Sequence, residues 1–191
     1  MSDLLTLTPE GLYCPEAGVH IDPVRPVERA VITHGHADHA RSGHGAVLAT
    51  GQTLDIMAIR YGENFCGSAQ AIGYGETLKL RDVEISLHPA GHVLGSAQVL
   101  LSSAGRRTVV SGDYKRQADP TCAPFEVVPC DTFVSEATFG LPVFRHPPAR
   151  DEIAKLLSSV LSLALSAIVA VVGGRIAGDE REEQGQGVTM H

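Results

Sequence analysis

Thr33-His34-Gly35-His36-Ala37-Asp38-His39 puts three histidines and one aspartate within six residues. No other stretch narrows so sharply what this chain can fold into. A buried imidazole needs a partner for each ring nitrogen, so three of them side by side are costly unless something serves all three. A divalent cation can do so, because neutral imidazole and carboxylate are the usual ligands of Zn²⁺ and related ions. The preceding run, Ala30-Val31-Ile32-Thr33, is apolar and β-branched and reads as a buried strand. Gly35 and Ala37 let the backbone turn tightly after it. The ligands then sit on a loop at a strand end. His34 and His36 can point to one side, while Asp38 and His39 can face a second ion nearby. The alternative is a polar surface loop that happens to be rich in histidine.

The rest of the chain repeats this pattern of strand, small residue and ligand-type residue. Leu4-Leu5-Thr6-Leu7, Gly11-Leu12-Tyr13 and Val19-His20-Ile21 read as short strands punctuated by Pro9, Pro15 and Gly18, and Asp22 follows the third. His20 reads as a half-buried strand histidine, not a ligand. After a strand at 46–49, Thr50 to Tyr61 reads as a helix. Leu54, Met57, Ala58 and Tyr61 form its apolar stripe, Thr50 caps its start and Gly62 ends it. From residue 77 the period is two: Leu78 and Leu80, then Val83, Ile85 and Leu87, predict a strand pair turning at Arg81-Asp82. The small-residue loop Pro89 to Ser96 carries His92, and the strand 108–110 runs into Ser111-Gly112-Asp113. Together with the histidine cluster, these two residues supply the further protein ligands that a two-metal site requires. Asp131 to Gly140 predicts another strand, with Glu136 near its end.

Pro147 and Pro148 precede a predicted helix with Asp151 and Glu152 in its first turn, as the helix dipole favours. Residues 156–172 carry no charge, which approaches the length of a membrane span. Three serines and a break in period favour a core helix followed by a strand at 167–172. The remainder, rich in Gly and Glu, is expected to be disordered.

The 191 residues suit one domain, and 43% hydrophobic with 19% charged residues is a globular composition. The formal net charge of −7 argues against a surface that coats nucleic acid without specificity. It does not exclude a local groove, since bound cations offset charge at a site. Cys14, Cys66, Cys122 and Cys130 form no C-x-x-C pair, and the N-terminus has no signal peptide. They read as free thiols in a reducing cytoplasm.

The order H-x-H-x-D-H, then Gly-His, then Ser-Gly-Asp, on successive strand ends resembles the metallo-β-lactamase fold over residues 1 to about 157. Gly91-His92-Val93-Leu94-Gly95-Ser96 and Ser135-Glu136-Ala137-Thr138-Phe139-Gly140 resemble its β-CASP nuclease branch, and most of all the bacterial ligase-associated DNA exonucleases. The resemblance implies an α/β fold, an αββα sandwich with metals at one edge of its two sheets. It implies two divalent ions, Zn or alternatively Mn. His34, His36 and His92 hold one, Asp38 and His39 the second, and Asp113 bridges them. Asp22 supports the first motif, and Glu136 matches the acid that opens the β-CASP portion. Asp38, Asp113 and Glu136 are the implied catalytic residues.

The implied reaction is phosphodiester hydrolysis at DNA ends, in DNA repair, by a hydroxide that two metals activate. The implied partners are DNA and an ATP-dependent DNA ligase, with no membrane. Three further readings stand beside it: an RNA-processing nuclease with the same motifs, a small-molecule metallo-hydrolase acting on thioesters or lactams, and a chain that binds metal without turnover. The last is motivated by 158–191, which match neither the β-CASP cap nor the late histidine of that family. The expectation is a truncated sandwich over 1–157 with an unrelated tail at 158–191.

Overall fold

The computed structural model describes residues 4–138, 147–148 and 150–164. The chain divides into two units that part between Ala137 and Thr138, and each is described on its own.

The first unit is built on two sheets. The first takes β1 (Thr6–Thr8), β2 (Gly11–Cys14), β3 (Val19–Ile21), β4 (Arg29–Val31), β5 (His44–Ala49) and β6 (Cys66–Ala71), in that spatial order. β1, β2 and β3 pair antiparallel, and β3 to β6 run parallel. The second sheet takes β7 (Thr77–Leu80), β8 (Val83–Pro89), β9 (Ala97–Ser103), β10 (Arg106–Val110) and β11 (Thr132–Val134). Its order is β11-β10-β9-β8-β7, with only β10 and β11 parallel.

Period-two patterning explains how the sheets meet. Val19, Ile21, Val31 and Leu48 of the first sheet share one buried cluster with Val83, Ile85, Leu87, Val99 and Leu101 of the second. Alternate residues of the same strands face outward. On the first sheet the outward set is Ala30, Ile32, Val47 and Ala49, and α1 (Gly51–Tyr61) covers it with Met57 and, at its margin, Leu54 and Ala58. On the second sheet Leu100 and Val109 are covered by Val128 and Cys130 of the connecting segment. Sheet on sheet, with a helix outside the first, makes three layers of the expected sandwich among the described residues of this unit.

α1 is bounded as its sequence predicts. The Thr50 side chain accepts the N–H of Thr53, and the Gly62 N–H returns to the Ala58 carbonyl at φ +85°. The stripe is rotated from the expected one. Thr53 and Met57 are the buried residues, whereas Tyr61 is 37% exposed and is not part of the core. Tyr61 is the last residue of α1. β6 escapes the period-two test because Cys66-Gly67-Ser68-Ala69-Gln70-Ala71 has hardly any apolar alternation; it is an exposed strand held by pairing with β5.

In the second unit a helix runs over 150–164, with the Asp151 N–H bonded to the Pro148 carbonyl. This matches the helix expected after Pro147-Pro148, but Leu156, Leu157, Val160 and Leu161, expected in a core, are exposed. The strand expected at 167–172 lies outside the described residues. No helix among the described residues is long and apolar enough to cross a membrane.

Candidate metal centre

The ligand-type residues arrive from four connections at one end of the sandwich. Asp22 follows β3, His34 to His39 follow β4, His92 lies between β8 and β9, and Asp113 follows β10. One donor atom from each of His34, His36, His92 and Asp113 lies within 4.8 Å of the others. His34 Nε2 is 3.0 Å and His92 Nε2 is 3.2 Å from His36 Nδ1. Asp113 Oδ2 stands 3.9 Å from His34 Nε2 and 3.7 Å from His92 Nε2.

A second convergence shares Asp113. His39 Nε2 is 3.4 Å from Asp113 Oδ1 and 3.7 Å from Asp38 Oδ2. The Asp38 side chain is 77% exposed and faces solvent at the rim. Glu136 follows β11, with its N–H on the Ser111 hydroxyl, and lines the same groove as Asp38, His39 and Asp113.

Asp22 orients the cluster from behind. One carboxylate oxygen accepts the Thr33 N–H at 2.8 Å. The other accepts the Thr33 hydroxyl at 2.6 Å and the His39 Nδ1–H at 2.9 Å. The Thr33 hydroxyl proton is thereby used, so its oxygen accepts from His34 Nδ1, 3.0 Å away. Asp22 thus places the proton of both rings on Nδ1, directly for His39 and through Thr33 for His34. Both Nε2 lone pairs are left facing the centre. Asp22 takes a left-handed φ of +45°, a conformation that a short polar side chain tolerates.

The electrostatics agree with this wiring at His34. Burial, reinforced by the neighbouring imidazoles, pushes His34 down to about 3, so its ring is neutral. Burial also lowers His92. The hydrogen bond to Asp22 raises His39, and the backbone N–H of Asp38 lowers its own carboxyl.

Close approaches of backbone hold the loops together. Gly112 (φ +55°) passes so near Thr33 that a Cβ there would lie 2.7 Å from the Thr33 side chain. The Gly95 carbonyl accepts from Thr50 and Thr53 at the start of α1. Tyr74 donates to the Ser96 carbonyl, and the Ser96 hydroxyl accepts the N–H groups of His92 and Val93. Thr33, Tyr74 and Ser96 were not singled out as site residues by their sequence. Their one signal is position, a hydroxyl beside or closing a ligand loop, which many ordinary turns also show.

This donor set fits a cation. His34 Nε2 and His92 Nε2, 3.0 and 3.2 Å from His36 Nδ1, are spaced from it as ligands roughly 2.0–2.1 Å from one zinc ion would be. His20 takes no part: it stacks on Tyr13 and lies 3.3 Å from the Thr8 hydroxyl, on β3. All four cysteines are free thiols outside the donor set.

No protein-family model matches the chain. Among curated proteins, it is 32% identical over 139 residues to a probable DNA ligase of Opitutus terrae, which covers 72% of the chain and 14% of that protein. It is 34% identical over 97 residues to the endoribonuclease ysh1 of Aspergillus fumigatus, covering 49% of the chain and 11% of that protein. It is 31% identical over 174 residues to a ribonuclease of Thermus thermophilus, covering 76% of the chain and 38% of that protein. The chain therefore spans well under half the length of each of these relatives.

Proposed function

We propose, on the premise that this chain is a homologue of the β-CASP nucleases of the metallo-β-lactamase fold, that it is the metal-binding unit of a hydrolase that cleaves phosphodiester bonds in nucleic acid. The observation that carries this reading is the convergence of His34, His36, His92 and Asp113 on one point, beside Asp38 and His39. His34, His36, His92 and Asp113 would hold one divalent ion, and Asp38, His39 and Asp113 a second. When bound, such ions supply a lowered pKa for water and positive charge for a phosphate in the transition state.

The protein's own residues prepare that chemistry. Asp22 and Thr33 hold His34 and His39 in the tautomer with free Nε2 atoms. Asp113 offers one carboxylate oxygen to each side of the site. Asp38, exposed at the rim, can accept a proton from incoming water and orient it. Glu136 lies on the groove wall where a polynucleotide backbone would enter.

DNA ends are the substrate we favour, with a DNA ligase as functional partner. The support is that a stretch like this chain occurs within a protein named a probable DNA ligase. RNA is the second reading, favoured by relatives named endoribonuclease and ribonuclease. End-labelled DNA and RNA of one sequence, each incubated with Zn²⁺ or Mn²⁺, would distinguish them. Weak metal-dependent release from DNA, lost in an Asp38→Ala, His39→Ala double variant, is expected. Release from RNA alone would select the second reading, and release from neither would reject both.

A further inference from the structure

The loop that carries His92 is tied down on the side away from α1 by residues with no assigned role. Gln98 is 1% exposed and pairs across the sheet with His88. Its side-chain nitrogen donates to the carbonyls of Pro89 at 3.0 Å and Glu126 at 2.7 Å. A nitrogen facing two carbonyl oxygens is necessarily the NH₂ end of the amide. The Gln98 side-chain oxygen is left buried without a hydrogen-bond partner. The two carbonyls belong to different segments, the end of β8 and the connection that follows Asp113.

Beside Gln98 runs a second chain of contacts. Ser86 Oγ lies 3.1 Å from His88 Nε2, and His88 Nδ1 lies 3.0 Å from Glu126 Oε1. The carboxylate accepts, so Nδ1 carries a proton, and a neutral ring then accepts the Ser86 hydroxyl at Nε2. This is the order of a Ser–His–acid relay, but Ser86 is only 7% exposed. A substrate carbonyl has no access to its hydroxyl, and the contacts act as a strut between β8 and residue 126.

The same two segments meet again around His92. The Glu126 N–H bonds to the Pro89 carbonyl, and the Lys115 N–H to the Ala90 carbonyl. The chain passes so close that a Cβ on Gly91 (φ +72°) would sit 2.3 Å from the Lys115 carbonyl oxygen. His92 is the next residue, and Asp113 lies two residues before Lys115.

We propose that Gln98, braced by Ser86, His88 and Glu126, is a positioning residue that sets His92 against Asp113 across the metal centre. This rests on the reading of His92 as a metal ligand. Gln98 touches no donor atom of the cluster; it acts by locking the loop before His92 to the segment after Asp113.

The test is a Co²⁺ titration of the full chain, read by visible ligand-field absorbance, as a double-mutant cycle of Gln98→Met with His92→Ala. Gln98→Met keeps the side chain's length and removes both donors. It should weaken Co²⁺ binding by about 10- to 100-fold and alter the absorbance band, with the circular dichroism of the metal-free protein unchanged. In the His92→Ala background the same substitution should change affinity less than twofold. An equal loss in both backgrounds, or no loss in either, would overturn the positioning role. If His92→Ala alone leaves affinity and spectrum unchanged, the metal-ligand reading itself fails. Should Gln98→Met not fold, Glu126→Gln takes its place in the cycle. It should lower Co²⁺ affinity only when His92 is present, and the same loss without His92 would overturn the proposal.

Discussion

His39 Nδ1 lies 2.9 Å from Asp22 Oδ2, a carboxylate oxygen that also accepts the Thr33 hydroxyl. One acid at the end of β3 thereby orients donors on both sides of the candidate metal centre. Asp22→Asn should retain the Thr33 N–H contact and the left-handed backbone, while weakening the His39 pairing. It should cost about 1 kcal/mol of stability but about 10- to 100-fold in Zn²⁺ affinity. Asp22→Ala leaves a buried N–H unpaired and should cost about 1–3 kcal/mol with a similar affinity loss. Urea unfolding and competition with a zinc chelator separate the two effects. Unchanged zinc affinity in both variants would remove Asp22 from the site.

Zinc should stabilise the folded chain through the histidine cluster. Free Zn²⁺ at about 100 times its dissociation constant adds about 2.7 kcal/mol to unfolding. His34→Ala and His36→Ala should abolish most of that gain, because each removes a donor from the closest set. Thermal melts with and without zinc decide the matter. A wild-type transition indifferent to zinc would be incompatible with the proposed centre.

Gly91 and Gly75 share a left-handed φ, +72° and +77°, but differ in what surrounds them. A Cβ on Gly91 meets the Lys115 carbonyl at 2.3 Å, whereas nothing lies within 4 Å of one on Gly75. Gly75→Ala should cost about 1–2 kcal/mol, the backbone penalty alone. Gly91→Ala should cost clearly more and also lower metal affinity, since the strain falls beside His92. Equal costs, measured by urea midpoint, would show that the 115–126 segment yields freely.

His44 is buried on β5 and accepts the Val27 N–H at Nδ1. Burial holds its pKa below the ordinary value of about 6.5. Between the folded and unfolded pKa values the unfolded chain binds the extra proton, so stability falls as pH drops below about 6.5. His44→Gln removes this titration. The stability gap between wild type and variant should therefore narrow between pH 7.5 and pH 5.5, by at most about 1.4 kcal/mol per pH unit. A gap constant across that range would show that His44 titrates alike in both states.

Much of the fold and nearly all the candidate ligands are legible in the chain itself. Val83, Ile85 and Leu87 announce β8 because period-two apolar spacing follows from strand geometry. Thr50 and Gly62 announce the limits of α1 because capping is decided by neighbouring residues. The His34 to His39 cluster is legible because residue type and spacing already define a donor set. β6 was invisible, since an exposed strand of small residues is stabilised by its partner β5 and not by its own pattern.

What the sequence determined by itself is local: which residues donate, which runs pair, and where turns fall. What only the tertiary structure decided is who supports whom. Asp22 reaches Thr33 and His39 from 11 and 17 residues away. Gln98 joins Pro89, 9 residues before it, to Glu126, 28 residues after it. Hydrogen bonds between distant segments depend on sub-ångström placement of strands and loops. That placement emerges only when the two sheets close on their common core.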